Sequence, residues 1–162
     1  MITVEEAIVI ERPLEDVFAY VSDQTNAPRW QPGLLEVRRT TDGPIGVGTR
    51  HSVVRKLGGR TVTLSNEYTR YEPDKLVEFS FWGSMPGRAS YVVEPVGPDR
   101  TKVTGRVEMR LPGVRRLAEP LIALAVRRDM VAGAETLKGL LETNAGEGAT
   151  DHLTGPTTVA RG

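Results

Sequence analysis

The segment that most constrains this chain lies near its end. LPGVRRLAEPLIALAVRRDMVAGAETLKGLLETN, Leu111 to Asn144, is the one stretch long and periodic enough to form a major helix. From Val126 onward, Met130, Ala134, Leu137, Leu140 and Leu141 follow at spacings of three and four, so they share one face, while Arg128, Glu135, Lys138 and Glu142 take the other. An earlier stripe of Val114, Leu117, Leu121 and Leu124 lies nearly opposite, and one straight helix cannot bury both. Pro120 supplies the break, because a proline is tolerated at a helix start and not in its interior. A short helix or turn over Val114 to Glu119, then a main helix from about Pro120, is expected. The run Leu121 to Val126 is apolar all round and reads as covered on both sides. The sharper alternatives are a pocket lid, an oligomer contact or a membrane-touching corner flanked by Arg115, Arg116, Arg127 and Arg128. A transmembrane span needs ~20 apolar residues and is excluded by the charges.

Everything before this segment reads as short strands and turns. Ile2 to Glu11 alternates, with Ile2, Val4, Ile8 and Ile10 on one side, and stops at Pro13. Leu14, Val17, Phe18 and Val21 then form a helical stripe of two to three turns, with Glu15 and Asp16 at its positive end. TNAPRWQPG allows one more short helix. Its Trp30 reads first as a plug of the core and second as a ligand platform. Six strands follow: Leu34 to Thr41, Thr49 to Leu57, Arg60 to Tyr71, Leu76 to Trp82, Arg88 to Glu94 and Thr101 to Leu111. Gly58 and Gly59 suit a two-residue hairpin with positive φ, and EPDK carries proline where a type I turn places it. Strands joined this tightly are antiparallel neighbours. The last helix is the only element large enough to cover such a sheet, which predicts an α+β fold. Residues 1 to 144 read as one domain, and 145 to 162, small and polar, as a disordered tail containing His152.

The order of these elements, together with their wording, resembles the helix-grip fold of the START-like, SRPBCC or polyketide cyclase/dehydrase superfamily. IVIERPLEDVFAYVSDQTNAPRWQPGLLEVR is similar to that family's opening, GPIGVGTRH to its glycine-rich entry to the third strand, and LKGLLE to its helix ending. The resemblance covers Ile2 to Glu142. It implies a curved antiparallel sheet of about seven strands gripping the C-terminal helix around a cavity. It does not imply one activity, since members include carriers, quinone-binding proteins, aromatases, cyclases and co-chaperone modules.

Composition removes several classes of chemistry. Lys plus Arg and Asp plus Glu are 21 each, so no net field draws the chain to nucleic acid. With no cysteine there is no disulfide, thiol nucleophile or thiolate site, which fits a reducing cytoplasm. MITVEEAIVIERP lacks the basic and continuous apolar regions of a secretion signal, so a cytoplasmic location is expected. No phosphate loop, GxSxG or dinucleotide fingerprint is present, and GPIGVG feeds a strand instead of a helix. Neither a cofactor nor a metal site is therefore expected.

The remaining candidates are aromatic and weakly catalytic. His51 shares its strand face with Thr49, Val53 and Arg55, a set too mixed to identify the inward side. With Tyr68 and Tyr91 it is a weak catalytic candidate. Phe79 and Phe81 form the expected inward wall, and Tyr68 and Tyr91 are placed to turn hydroxyls toward it. Trp30, Tyr68, Phe79, Phe81, Tyr91, Met130, Ala134 and Leu137 make up the expected ligand wall, with core packing as the simpler reading of each. A dry apolar void of even ~300 Å³ costs about 7 kcal/mol, against a domain stability of ~5–15 kcal/mol. A family-sized cavity must therefore hold water, a ligand or collapsed side chains. The expected partner is a hydrophobic or aromatic small molecule (lipid, quinone or polyketide-like), carried or sensed. A cofactor-free cyclase or dehydratase is the alternative, and a membrane-peripheral lipid handler docking through Leu117 to Val126 is a third. Monomer and homodimer both stay open.

Overall fold

The computed structural model describes residues 1–148. Seven antiparallel strands form one sheet in the order β1-β7-β6-β5-β4-β3-β2. The strands are β1 (Ile2–Ile10), β2 (Leu34–Arg39), β3 (Arg50–Leu57), β4 (Arg60–Glu72), β5 (Leu76–Trp82), β6 (Gly87–Gly97) and β7 (Arg100–Met109). Six of them form a meander, and β1 closes the far edge by pairing with β7 from Ile2 opposite Met109 to Ile10 opposite Thr101. Two helical pieces fill the long connection from β1 to β2: α1 (Leu14–Val21) and a 3-10 helix (Gln24–Arg29). Val17, Phe18 and Val21 are the buried face of α1. After β7 comes a second 3-10 helix (Gly113–Ala118) and then α2 (Glu119–Gly148). The break expected at Pro120 thus falls one residue earlier. Helix α2 also runs on beyond Asn144, and the remainder of the expected disordered tail lies outside the described residues.

Turn chemistry explains the meander's register. Gly58 and Gly59 adopt φ 55° and 79°, the left-handed pair a two-residue hairpin requires, and β3 and β4 pair outward from Leu57 opposite Arg60. The turn at Glu72–Lys75 differs from the type I expectation. Asp74 has φ 57°, whereas the third residue of a type I turn has negative φ, so this is a turn in which aspartate tolerates the left-handed region. A bulge between Tyr68 and Arg70 shifts the side-chain alternation of β4. Tyr68 and Tyr71, on opposite faces of a regular strand, instead stack with centroids 6.4 Å apart and planes 9° from parallel.

Apolar contacts close the two ends of the space between α2 and the sheet. At one end Ile10, Val17, Phe18, Val21, Trp30, Val93, Val103, Leu137 and Leu141 form a buried cluster. At the other, Ile2, Val4, Met109 and Leu111 pack against Ile122, Ala123, Val126 and Met130. Polar contacts fix the helix at both ends. Lys138 Nζ donates to the Val9 carbonyl at 2.8 Å and Arg12 Nη1 to the Leu141 carbonyl at 2.9 Å, while Arg127 meets Glu6 at 2.7 Å near the start. The earlier stripe behaves differently from expectation. Leu121 and Leu124 are largely exposed, so the run Leu121 to Val126 is covered on one side only. Its inner residues reach the sheet, and among the described residues nothing packs over the outer ones. No helix among the described residues is long and apolar enough to cross a membrane.

Candidate functional site

Between the two clusters lies a cavity of about 810 Å³, bounded by α2, the concave side of the sheet and the segment Trp30–Pro32. Its walls follow from alternation. Odd-numbered residues of β5, β6 and β7 face inward, so Phe79, Phe81, Ala89, Tyr91, Val103, Val107 and Met109 line it, while Arg88, Arg106 and Glu108 pair on the outer surface. Small residues keep it open. A Cβ on Gly105 would stand 3.2 Å from the Tyr91 ring, and one on Gly133 of α2 would stand 3.2 Å from the Trp30 carbonyl oxygen. Glycine at 105 lets the tyrosine ring lie flat over the strand, and glycine at 133 lets the helix approach the loop backbone.

Of the residues expected at the ligand wall, Trp30, Phe79, Phe81, Tyr91, Met130, Ala134 and Leu137 border this cavity together. Trp30 and Tyr91 meet edge to face at 5.6 Å, and Phe79 stands 6.3 Å from Tyr91. Trp30 is both things considered for it, since it belongs to the buried core cluster and also forms part of the wall.

Tyr68 and His51 are placed elsewhere. The Tyr68 ring is fully buried, and its hydroxyl donates to the Ser22 carbonyl at 2.6 Å and accepts from the Gln24 amide at 3.2 Å. With both roles filled, it ties the end of α1 to the sheet. Burial pushes its phenol well above the ordinary range, so it stays neutral. His51 also points inward, with Thr49 and Val53, and is 2% exposed behind the cavity wall. Its Nδ1 lies 3.0 Å from the Asn66 Oδ1, and its ring is 5.3 Å from that of Tyr68. A carboxamide oxygen only accepts, so Nδ1 carries the proton and Nε2 the lone pair. Burial pulls the imidazole below its ordinary 6.5, and the Asn66 bond opposes that only in part. Asn66 lines the cavity; His51 does not. The general-base role considered for His51 therefore lacks access to a guest.

Beyond the expected Tyr91 hydroxyl, the polar part of the cavity is built by Gln31 and Arg55. Gln31 Nε2 donates to the Tyr91 hydroxyl oxygen at 2.8 Å, which leaves the phenolic proton free to be donated onward. Burial raises the Tyr91 pKa well above its ordinary value, with the nearby Arg55 cation and the Gln31 bond pulling the other way, so the group is a proton-bearing donor at neutral pH. Arg55, on the inward face of β3 with His51 and Val53, also lines the cavity. Burial lowers its pKa and the Asp129 carboxylate on α2 raises it, and a guanidinium remains charged under such opposing influences. The signal for Arg55 was present in the alternation Thr49, His51, Val53, Arg55 but needed the inward side to be known. Gln31 carried none, because it sits in an irregular loop. Among the described residues no three His, Cys, Asp or Glu side chains stand close enough to share a metal ion.

Comparison with known proteins agrees with this architecture. The di-domain aromatase/cyclase BexL from the BE-7585A biosynthetic pathway superposes with TM-score 0.71 at 20% identity, over 88% of this chain and 47% of that one, so the chain spans about half of that protein. The Zhui aromatase/cyclase from Streptomyces sp. R1128 gives 0.73 at 15% identity over 88% and 94% of the two chains. A START superfamily protein from Mycobacterium smegmatis gives 0.69 at 16% identity over 89% and 99%. At such identities the likeness is one of fold. No curated protein matches the sequence. The family described as polyketide cyclase / dehydrase and lipid transport matches residues 1–142, and with a seven-stranded sheet gripping a long C-terminal helix around a cavity, the chain belongs to that family.

Proposed function

We propose that this protein binds a hydrophobic or aromatic small molecule, of lipid, quinone or polyketide-like character, and acts in the cytoplasm as its carrier or sensor. The observation that carries this reading is the cavity itself. At about 810 Å³ it falls within the ~300–1,000 Å³ of small-molecule sites, and its polar groups are few beside its aromatic and aliphatic wall. A guest would lay an apolar body against Phe79, Phe81, Met130, Ala134 and Leu137. It would turn an acceptor atom toward Tyr91 and Arg55, donors that border the same space. Trp30 stands at the edge of Tyr91 and serves as a built-in fluorescent reporter.

Native mass spectrometry of the purified chain tests the reading, with organic extraction of any adduct. A stoichiometric small-molecule adduct is the expected result. Absence of an adduct, combined with no thermal shift from quinones, fatty acids or aromatic polyketide-like compounds, would refute it.

A second reading, a cofactor-free cyclase or dehydratase, draws on the geometry of Tyr91. Its oxygen accepts from Gln31, which leaves its proton free to be donated to a guest beside the Arg55 cation. Under that reading Tyr91→Phe abolishes turnover of an identified substrate while leaving its binding within a few fold.

A further inference from the structure

The outer side of the segment that covers the cavity carries an apolar ridge. On the 3-10 helix Gly113–Ala118, Val114 and Leu117 are 85% and 89% exposed; at the start of α2, Leu121 and Leu124 are 74% and 46% exposed. No residue of that 3-10 helix is buried. Leu121, Leu124 and Arg128 recur at spacings of three and four and lie along one line of α2. Arg115 and Arg116 lie between Val114 and Leu117, and all these arginines are exposed. Among the described residues Arg115 reaches the Ser84 carbonyl alone, at 3.3 Å, and Arg127 turns aside to Glu6. Of the nearby carboxylates, Glu119 holds the N-terminal ammonium at 3.2 Å, and Asp129, though exposed, lies on the cavity side of α2.

We propose that this ridge docks the protein on an anionic lipid surface. Its valine and leucines enter the boundary between headgroups and acyl chains, and Arg115, Arg116 and Arg128 face the phosphates. Charge argues against a second copy as the occupant. A two-fold contact would bury the ridge arginines of both copies in one desolvated interface, with no ridge carboxylate to pair with them. A bilayer of negative surface potential supplies both the apolar medium and the counter-charge. Arg115, Ala118, Leu121, Ile122 and Ala125 also line the cavity, so docking sets its mouth at the lipid surface. The inference rests on the surface alone and stands whether or not the cavity takes the guest proposed above.

Sedimentation of the full chain with vesicles tests it, using phosphatidylcholine alone or with about one-third phosphatidylserine, at low salt and at about 0.5 M salt. Binding is expected on the anionic vesicles, weakened by salt. Replacing Arg115 and Arg116 together by Gln weakens it about thirtyfold, at about fivefold per arginine at an anionic surface. Leu117→Glu with Leu121→Glu abolishes it, and Val96→Glu, at an exposed apolar residue of β6, leaves it unchanged. Circular dichroism and the unfolding midpoint verify that each variant is folded, as expected for side chains this exposed. Equal binding to neutral vesicles, no vesicle binding, or a concentration-dependent dimer that the leucine variants dissociate would each overturn the proposal.

Discussion

Tyr68, fully buried, and Tyr91, partly buried, are the same residue type and both face the helix side of the sheet, yet their hydroxyls do different work, and that difference can be measured. The Tyr68 hydroxyl satisfies two backbone groups in a region without solvent, the Ser22 carbonyl and the Gln24 amide. Tyr68→Phe leaves both buried and unpaired. At about 1–3 kcal/mol for each unsatisfied group, and allowing for partial relaxation, the loss is about 3 kcal/mol. For a chain of this size that lowers the melting temperature by roughly 6–12 °C. Tyr91→Phe removes one bond to a half-buried Gln31 amide beside a cavity, where water or a guest can replace the lost oxygen, and costs under about 1 kcal/mol. Urea denaturation followed by circular dichroism gives the first comparison. Binding of an extracted guest, followed by Trp30 fluorescence, gives the second: Tyr68→Phe leaves affinity within a few fold, whereas Tyr91→Phe weakens it about tenfold if one donated hydrogen bond is lost. The reasoning is refuted if Tyr68→Phe is within 1 kcal/mol of the parent, or if the two substitutions exchange effects.

Three further outcomes follow from particular contacts. His51 has its pKa lowered by burial, so the unfolded chain binds the proton more readily; stability is complete above the ordinary 6.5 and falls as pH drops below it, at no more than ~1.4 kcal/mol per pH unit from this residue, and His51→Gln removes that share of the slope in a pH series of urea titrations. Gly139 of α2 has open space where a Cβ would go, so Gly139→Ala gains up to about 1 kcal/mol, while Gly133→Ala must push against the Trp30 backbone and does not, a contrast that paired melting curves resolve. Ala134→Trp projects an indole into the cavity and is expected to abolish guest binding in native mass spectrometry without loss of fold, because the space already exists.

How much of this was legible in the sequence depends on whether the relevant physics is local. The strands, the Gly58-Gly59 hairpin and the displaced stripes of the last helix follow from alternation, turn chemistry and proline. Phe79 and Phe81 could be assigned to the inner wall because their strand gathers Val77, Phe79 and Phe81 on one face and places Glu78 and Ser80 on the other. The face of His51 could not, because Thr49, His51, Val53 and Arg55 mix polarity, and burial of that set depends on Asn66 and Tyr68 across the hairpin. Tyr68 was read as a cavity residue because its true partners are 44 and 46 positions away, in a segment with no periodicity. The run Leu121 to Val126 misled in the opposite sense. All-round apolarity ordinarily means burial on all sides, and here one side faces the cavity and the other is bare.

The cavity and the pinning of α2 belong to one argument. Sealed, dry and wholly apolar, a space of about 810 Å³ would at ~24 cal/mol per Å³ cost about 19 kcal/mol, more than the whole ~5–15 kcal/mol stability of a typical domain, so the open mouth and polar groups of this cavity matter. The usual escape is collapse, and here it is resisted at both ends. Lys138 and Arg12 hold the later turns of α2 to the β1 end, Arg127 and Glu119 hold its start, and Gly133 already rests against the Trp30 backbone. The helix cannot move inward without breaking charge-assisted bonds or forcing backbone into backbone. The space is therefore filled, by water near Arg55, Gln31 and Tyr91 or by a guest along the apolar wall. A guest that displaces poorly bonded water from that wall stabilises the native state alone, by about 2.7 kcal/mol at a hundredfold excess over its dissociation constant. That corresponds to roughly 5–10 °C in melting temperature, and Ala134→Trp, by filling the same space, should abolish the shift. A ligand-induced shift that survives Ala134→Trp would locate binding outside the cavity.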